Sequence, residues 1–257
     1  MTPPHAEKTL LPIVDYLDAL LDLRGFEDYP NALNGLQLES PGRVTKIGAA
    51  VDSGIRTIDM AVAEQVDLLL VHHGLFWGGL APICGPAYRK LAKAVEARMA
   101  IYSVHLPLDA HPEIGNNVLL AADLGLTSLA PFFPYKGRSI GYSALVDTDY
   151  FTLLTKIEKR FGGPVWNCHA GPDRVRNVGI VTGGAGAELG LAKAAGIDTF
   201  ITGEGPHHTF AIAEELGLNL IYAGHYATET SGVKALASRV ASEFDLPWVF
   251  LDHPSGL

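Results

Sequence analysis

The sequence has little cysteine and no dense positive charge. Its two cysteines, Cys84 and Cys168, lie far apart, without a CxxC spacing or a third partner. A disulfide framework and a thiolate zinc site are therefore both disfavoured. The 19 Lys and Arg residues are dispersed, and the net charge is -9, which argues against a broad nucleic-acid surface. Any metal must therefore be held by nitrogen and oxygen ligands, so the ten histidines are the residues to follow.

Signals for membrane insertion and export are also missing. No stretch approaches the roughly 20 uninterrupted apolar residues that span a bilayer, and the N-terminal Met-Thr-Pro-Pro-His lacks the basic-then-apolar layout of a signal peptide. We therefore expect a cytoplasmic protein with no membrane partner. A chain of 257 residues, 48% of them hydrophobic, has enough apolar surface for a large core in one or two domains.

Residues 66–74 read Val-Asp-Leu-Leu-Leu-Val-His-His-Gly, which predicts a short buried strand that ends in two histidines. In open α/β sheets, ligands bind at the carboxyl ends of the strands. Neighbouring side chains of a strand point to opposite faces, so His72 and His73 can share one site only where the strand ends and bends. Gly74 permits such a bend.

Strand and helix patterns alternate along the chain, which implies parallel sheets with right-handed crossovers. We predict an α/β fold made of two similar α/β units, with mainly parallel sheets flanked by helices. The elements predicted in the first half are a helix at 10–23, a strand at 47–51, a helix at 55–64, a strand at 66–71, a helix at 88–98 and a strand at 100–104.

The second half of the chain repeats the first. A constant offset without gaps brings Asp67 onto Asp198 and places Glu204 where the first half has His73. We therefore divide the chain into a first α/β unit at 1–126, with His-His-Gly and His-xxx-Asp, and a second at 127–257, with Gly-Glu and His-xxx-Glu.

Each half also places a histidine directly after a strand and a carboxylate four residues later. These pairs are His105 with Asp109 and His225 with Glu229. Imidazole and carboxylate are the ligands that a divalent metal takes in the absence of thiolates. Two adjacent histidines alone are as often a loop feature, but the repeated pair favours a metal site. Together with the histidines at 72–73, these groups are more ligands than one metal ion usually takes. Two metal ions roughly 3.5–4 Å apart would use all of them.

Other motifs leave alternatives open. Glu204 is a candidate hydrogen-bond partner of a ligand water, or a base. The histidines at 207–208 belong either to a solvated first helical turn or to the lining of a pocket. The glycine-rich segment 183–186 lacks a Walker lysine, and a tight strand-to-helix turn is favoured over a phosphate site. The asparagines at 116–117 suggest helix capping.

Several motifs, in order along nearly the whole chain, resemble those of the Nif-three-like proteins. This family comprises the dinuclear-metal-centre hexameric proteins, often labelled GTP cyclohydrolase I type two homologues, and the chain resembles their short form. The motifs are Asn-Gly-Leu-Gln at 34–37, Asp-Leu-Leu-Leu-Val-His-His-Gly at 67–74, His-Leu-Pro-Leu-Asp at 105–109, Gly-Asn-Asn at 115–117, Thr-Gly-Glu at 202–204 and Gly-His-Tyr-Ala-Thr-Glu at 224–229.

The resemblance implies a two-domain α/β subunit, a homohexamer built as a trimer of dimers, and two divalent metal ions per subunit, of zinc, iron, manganese or nickel. Carried over by motif, His105 and Glu204 lie beside the metal ions as candidate catalytic residues. The implied metal ligands are His72, His73, Asp109, His225 and Glu229.

Two functions fit these features. The first is a metal-dependent hydrolase similar to GTP cyclohydrolase I type two, in which activated water attacks a nucleotide or phosphoester and His105 or Glu204 moves the proton. The second is a metal-binding hexamer without turnover, acting as a metal carrier, a store or an interaction platform. Nucleic-acid binding is disfavoured by the acidic charge.

Overall fold

The computed structural model describes residues 8–79 and 81–257, and these divide into two compact units. Unit 1 comprises the described residues up to Leu108 together with Gly232–His253. Unit 2 comprises Asp109–Ser231 and Pro254–Leu257. Each unit combines a β-sheet with helices, which confirms the predicted α/β class.

In the first part of the chain, strands and helices alternate as predicted, with a 3₁₀ turn at Leu23–Gly25. The elements are β1 (Lys8–Thr9), α1 (Leu10–Leu20), β2 (Gly35–Leu38), β3 (Arg43–Val44), β4 (Ile47–Asp52), α2 (Ile55–Ala63), β5 (Leu68–His73), α3 (Gly85–Glu96), β6 (Ala100–Ser103) and α4 (Leu106–Asp109).

The remaining elements include a 3₁₀ turn at Ala185–Glu188 between β10 and α7. They are α5 (Asn116–Asp123), β7 (Ala130–Tyr135), β8 (Arg138–Asp149), α6 (Tyr150–Phe161), β9 (Trp166–Cys168), β10 (Arg174–Ile180), α7 (Leu189–Ala194), β11 (Thr199–Thr202), α8 (Thr209–Leu216), β12 (Asn219–Tyr222), α9 (His225–Phe244) and β13 (Trp248–Phe250).

The main sheet of unit 1 has the strand order β13-β4-β5-β6-β2, and β2 is its antiparallel strand. All the side chains of β5 are buried, as expected for a central parallel strand covered on both faces. Helix α1 packs through Leu10, Ile13, Val14 and Leu17, which lie on one face at helical spacing.

The sheet of unit 2 has the order β7-β8-β10-β11-β12-β9. Its central pairs, β10 with β11 and β11 with β12, are parallel. Three further pairs are antiparallel: β7 with β8, which form a hairpin, β8 with β10, and β9 with β12. The sheet is therefore mixed, whereas mainly parallel sheets were predicted for both units.

The division into units also differs from the predicted boundary after residue 126. Helix α5 at Asn116–Asp123 belongs to unit 2. At the other end of the chain, β13 pairs in parallel with β4, with Trp248 opposite Ile47, so this last strand completes the sheet of unit 1. The sequence repeat does not predict that the end of the chain returns to the sheet of unit 1.

The internal repeat is visible in the hydrogen bonds that two equivalent aspartate side chains accept from the backbone. Asp67 Oδ2 accepts from the backbone N–H groups of residues 45–46 at 2.7 and 3.2 Å. Asp198 Oδ2 accepts from the N–H groups of residues 176–177 at 2.7 and 2.9 Å. The equivalent carboxylate therefore joins two adjacent parallel strands in each unit, on the amino-terminal side of their shared register.

Among the helices of residues 8–79 and 81–257, none combines the length and the apolar character that a membrane span requires.

We predict that Gly141→Ala destabilises unit 2. A Cβ at Gly141, in β8, would lie 2.7 Å from the carbonyl oxygen of Ile180 and 2.6 Å from a side-chain carbon of Val181. The resulting overpacking should lower the free energy of unfolding by about 1–3 kcal/mol. The control is Gly190→Ala in α7, where a Cβ meets open space, and its effect should be neutral or stabilising by up to about 1 kcal/mol. Urea unfolding of both variants checks this, and equal stabilities would contradict it.

Candidate metal centre

Unit 1 brings three histidines together at the carboxyl edge of its sheet. His72 and His73 are the last residues of β5, and His105 follows β6. Their ring centroids are 4.9–5.7 Å apart, and one nitrogen of each ring lies within 4.8 Å of the others. All three are buried. The adjacent histidines therefore converge where the strand ends.

An oxygen atom holds the Nδ1 atom of each of these histidines. A carbonyl oxygen only accepts hydrogen bonds, so Nδ1 of His72 carries a proton, and in the neutral ring Nε2 then carries the lone pair. This is the tautomer in which an oriented histidine binds a metal through Nε2. The pairs are His72 with the carbonyl of Val104 at 2.9 Å, His73 with Asp52 Oδ1 at 2.8 Å, and His105 with Asp28 Oδ1 at 3.0 Å.

Asp28 organises the surroundings of His105. Its Oδ2 atom accepts from Asn34 Nδ2 at 2.8 Å and from the backbone N–H of Leu106 at 3.0 Å. Asn34 Oδ1 in turn accepts from the backbone N–H of His105 at 2.8 Å. Burial raises the pKa of Asp28, but the hydrogen bonds and charge of His105, with Asn34, outweigh it and lower the pKa. The carboxyl group is therefore ionised and orients the imidazole.

The sequence analysis did not identify the carboxylates of Asp28 and Asp52. Asp28 lies 77 residues from His105 along the chain, and no spacing pattern connects the two. Asp52 did carry a signal, because it ends β4 directly opposite His73 in the parallel register. Aligning the predicted strands at 47–51 and 66–71 by their carboxyl ends would have placed Asp52 beside His73.

Gln37 ties two loops of unit 1 together. Its Nε2 atom donates to the carbonyl oxygens of residues 32–33, both at 3.0 Å, and its Oε1 atom accepts from the N–H of Leu75 at 2.6 Å. A Cβ at Gly74 would overlap the amide of Gln37. Gly74 is therefore required for this close approach, and not for a left-handed backbone, because its φ is not positive.

Unit 2 contains a histidine between two carboxylates. His225 begins α9, and its Nε2 atom lies 3.2 Å from Oε2 of Glu229, one helical turn further on. Its Nδ1 atom lies 2.8 Å from Oε1 of Glu204. Burial lowers the pKa of His225, but the hydrogen bonds and charges of Glu229 and Glu204 outweigh it and raise the pKa to about 9. A divalent cation bound by Nε2 and Glu229 would replace the Nε2 proton.

Asp109 is buried at the end of α4. Its Oδ1 atom accepts from Asn116 Nδ2 at 2.8 Å and from Thr182 Oγ1 at 3.3 Å. Asn117 Nδ2 donates to the backbone carbonyl of Asp109 at 3.1 Å. The predicted capping role of the two asparagines is wrong, because Gly115 is the N-cap of α5 and no side chain caps it. They hold Asp109 instead.

The glycine-rich segment after β10 is a tight turn, as favoured from the sequence. Gly183 has a φ of +71°, and a Cβ there would overlap the carboxylate of Glu229. Its carbonyl oxygen accepts from the N–H groups of Gly203 and Glu204 at 2.8 and 3.0 Å. The turn therefore packs directly against the side chains of His225 and Glu229. The histidines at 207–208 are exposed at the start of α8.

The fold and these side chains together define a class: an α/β protein with buried His, Asp and Glu groups that could hold a metal ion. The chain belongs to the Duf34/NIF3 (NGG1p interacting factor 3) family, whose model matches residues 9–255. This confirms the resemblance read from the motifs.

Two curated relatives are named GTP cyclohydrolase 1 type 2 homolog. The one from Deinococcus radiodurans is 41% identical over 232 residues, covering 89% of this chain and 88% of its own. The one from Pyrococcus horikoshii is 40% identical over 248 residues, covering 95% and 98%. The solved structure of TTHA1606 from Thermus thermophilus superposes with a TM-score of 0.87 at 43% identity, covering 96% of this chain and 98% of that one.

We predict that Asp28→Asn loosens His105 and lowers stability. The substitution removes the charge that holds His105 and places an amide N–H₂ group among hydrogen-bond donors, which should cost about 1–3 kcal/mol of unfolding free energy. The control is Asp15→Asn on the exposed side of α1, which should change stability by no more than about 0.5 kcal/mol. Urea unfolding in chelator separates this effect from metal binding. A wild-type midpoint for Asp28→Asn would refute the role of Asp28.

Proposed function

We propose that this chain is a dinuclear-metal-dependent hydrolase of the GTP cyclohydrolase I type two kind, acting on a nucleotide or phosphoester. The observation that carries the proposal is the orientation of four buried or half-buried histidines, His72, His73, His105 and His225. An oxygen atom lies 2.8–3.0 Å from Nδ1 of each ring. This arrangement directs Nε2 toward a ligand and is typical of metal-binding histidine.

The proposed metal content is two divalent ions, of zinc, iron, manganese or nickel. Imidazole nitrogen and carboxylate oxygen suit all four metals, and neither cysteine takes part. In unit 1 the imidazoles predominate, and in unit 2 the carboxylates do. The proposed ligands are His72, His73, Asp109, His225 and Glu229.

Such ions supply Lewis acidity and lower the pKa of water to near neutrality. The protein's own contribution is to hold and move protons. His105 accepts a proton at Nε2, and Asp28 on its Nδ1 atom stabilises the resulting imidazolium, as the carboxylate does in a catalytic triad. Glu204 fixes the orientation of His225 through Oε1 and also lies at the solvent side, because its side chain is 42% exposed. This exposure suits proton exchange with water.

The alternative proposal is a metal-binding homohexamer that carries, stores or presents the metal without turnover. The two carboxylates on His225 favour it, because a densely charged site retains metal tightly. In both cases we propose a homohexamer built as a trimer of dimers. Light scattering should then give six times the 27.4 kDa mass of the chain, and a monomeric mass would contradict the assembly.

We predict that His72→Ala and Glu229→Gln each lower metal content. Each substitution removes one proposed ligand, from unit 1 and from unit 2 respectively, so elemental analysis should fall from about two metal ions per subunit toward one or none. His207→Ala, whose imidazole is exposed at the start of α8, is the matched control and should keep the wild-type content. Circular dichroism checks that all variants are folded. Full metal retention in both ligand variants would refute the proposed centre.

We predict metal-dependent hydrolysis of GTP or of a phosphoester in a panel assayed at measured metal loading. Glu204→Gln and His105→Gln should lower kcat by about 10²–10⁴, because each removes a group proposed to exchange protons. Both variants keep the five proposed ligands, so we expect both to retain metal. Elemental analysis of each variant checks this in parallel with the assay. Turnover of a substrate that depends on added metal supports the hydrolase, whereas two bound ions without turnover of any panel member would support the carrier or store.

A further inference from the structure

Two aromatic side chains border the three histidines of unit 1. The ring centroid of Trp77 is 4.5 Å from that of His105 and 4.9 Å from that of His73. The ring of Tyr29 is 5.8 Å from His105 and 6.5 Å from Trp77, at an interplanar angle of 76° to the latter. The two rings therefore form a corner, which we call the aromatic corner, beside the candidate ligands.

Both rings remain accessible to solvent. Trp77 is 40% exposed and Tyr29 is 48% exposed. The histidines already owe their orientation to the oxygen atoms on Nδ1, so the aromatic corner is not needed to hold them. Large aromatic surfaces that stay exposed beside a candidate site are typical of ligand-binding positions.

Another half-exposed tryptophan provides a comparison. Trp166, in unit 2, is 44% exposed, but its ring stacks on Tyr222 at 4.7 Å and meets Phe210 edge-on at 6.5 Å. Its neighbours are thus other aromatic rings. Trp77 differs because it packs against His73, a proposed metal ligand, and His105, a proposed proton acceptor.

The loops that carry the aromatic corner are held in place. The amide of Gln37 connects residues 32–33 with the N–H of Leu75, two residues before Trp77. The N–H of Tyr29 donates to Asp28 Oδ1 at 2.6 Å, and Asp28 also holds His105. A binding surface fixed in this way loses little conformational entropy when a ligand arrives.

We propose that the aromatic corner binds the planar heteroaromatic ring of the substrate, a nucleobase, by stacking on Trp77 with Tyr29 as the side wall. This inference rests on the proposed function and names the substrate class of the same site. Since Trp77 lies within 5 Å of both His73 and His105, the stacked ring and its first substituents lie next to the histidines. The base end of a nucleotide, rather than its terminal phosphate, is therefore directed at the site.

The test measures binding without relying on turnover. Isothermal titration calorimetry of the metal-loaded protein uses guanosine as the probe. Adenosine and uridine serve as nucleosides with other bases, and inorganic triphosphate and ribose 5-phosphate as ligands without a base. We expect the nucleosides to bind. Trp77→Ala should weaken guanosine binding by about 10-fold or more, and Tyr29→Ala should weaken it less, because stacking supplies much of the affinity for a base. Trp77→Phe keeps a stacking face and should restore most of it.

The matched control is Trp166→Ala, which removes an equally exposed tryptophan from unit 2 and should leave guanosine affinity unchanged. Metal content is determined for each variant, and Trp77→Ala should keep it, since the Nδ1 partners of the histidines are intact. Tryptophan fluorescence is a second readout: guanosine should quench the wild type and Trp166→Phe, but not Trp77→Phe.

The possible outcomes separate this inference from the hydrolase proposal. Guanosine binding that depends on Trp77, without any turnover, would support the inference while the hydrolase fails. Turnover of GTP with an unchanged KM in Trp77→Ala would overturn the inference while the hydrolase stands. Equal guanosine affinity in wild type and Trp77→Ala, a preference for the ligands without a base, or loss of metal from Trp77→Ala would each overturn it.

Discussion

The candidate site depends on one interaction, the contact between Nδ1 of a histidine and a fixed oxygen atom. An imidazole on a strand end has two nitrogens and rotates freely about χ2, so it presents no definite ligand atom by itself. The carbonyl of Val104 and the carboxylates of Asp28, Asp52 and Glu204 remove that freedom. Each oxygen belongs to the ordered backbone or to a side chain at a strand end or loop, so the orientation of the rings follows from the fold itself.

The scaffold beneath these contacts is a duplicated pair of parallel strands. Asp67 and Asp198 accept equivalent hydrogen bonds from backbone N–H groups at residues 45–46 and 176–177, on the amino-terminal side of the strand pairing in each unit. At the carboxyl edge the copies have diverged, with His73 in one and Glu204 in the other. The shared geometry lies at the amino end of the strands and the variable chemistry at the carboxyl end, which is the usual division of labour in α/β proteins.

The sequence predicts the parts of the fold that local patterns determine. The buried run before His72 and the repeat around Asp67 predicted strands, because burial on both faces leaves a continuous apolar run. The hairpin of unit 2, the return of β13 and the contact of Asp28 with His105 depend on pairings across long stretches of chain, which no local pattern encodes. The functions of Asn116 and Asn117 were misread for a related reason, since their partner Asp109 lies outside their own helix.

The contact between Gln37 and Gly74 has an evolutionary consequence. The amide occupies the volume that any β-carbon at position 74 would need, so the two positions are epistatic: a larger residue at 74 is tolerated only after position 37 has become smaller. Shortening Gln37 first would release residues 32–33 and Leu75 from each other. Both mutational orders therefore pass through a disadvantaged intermediate, and this pair of residues should change together or remain unchanged as sequences diverge.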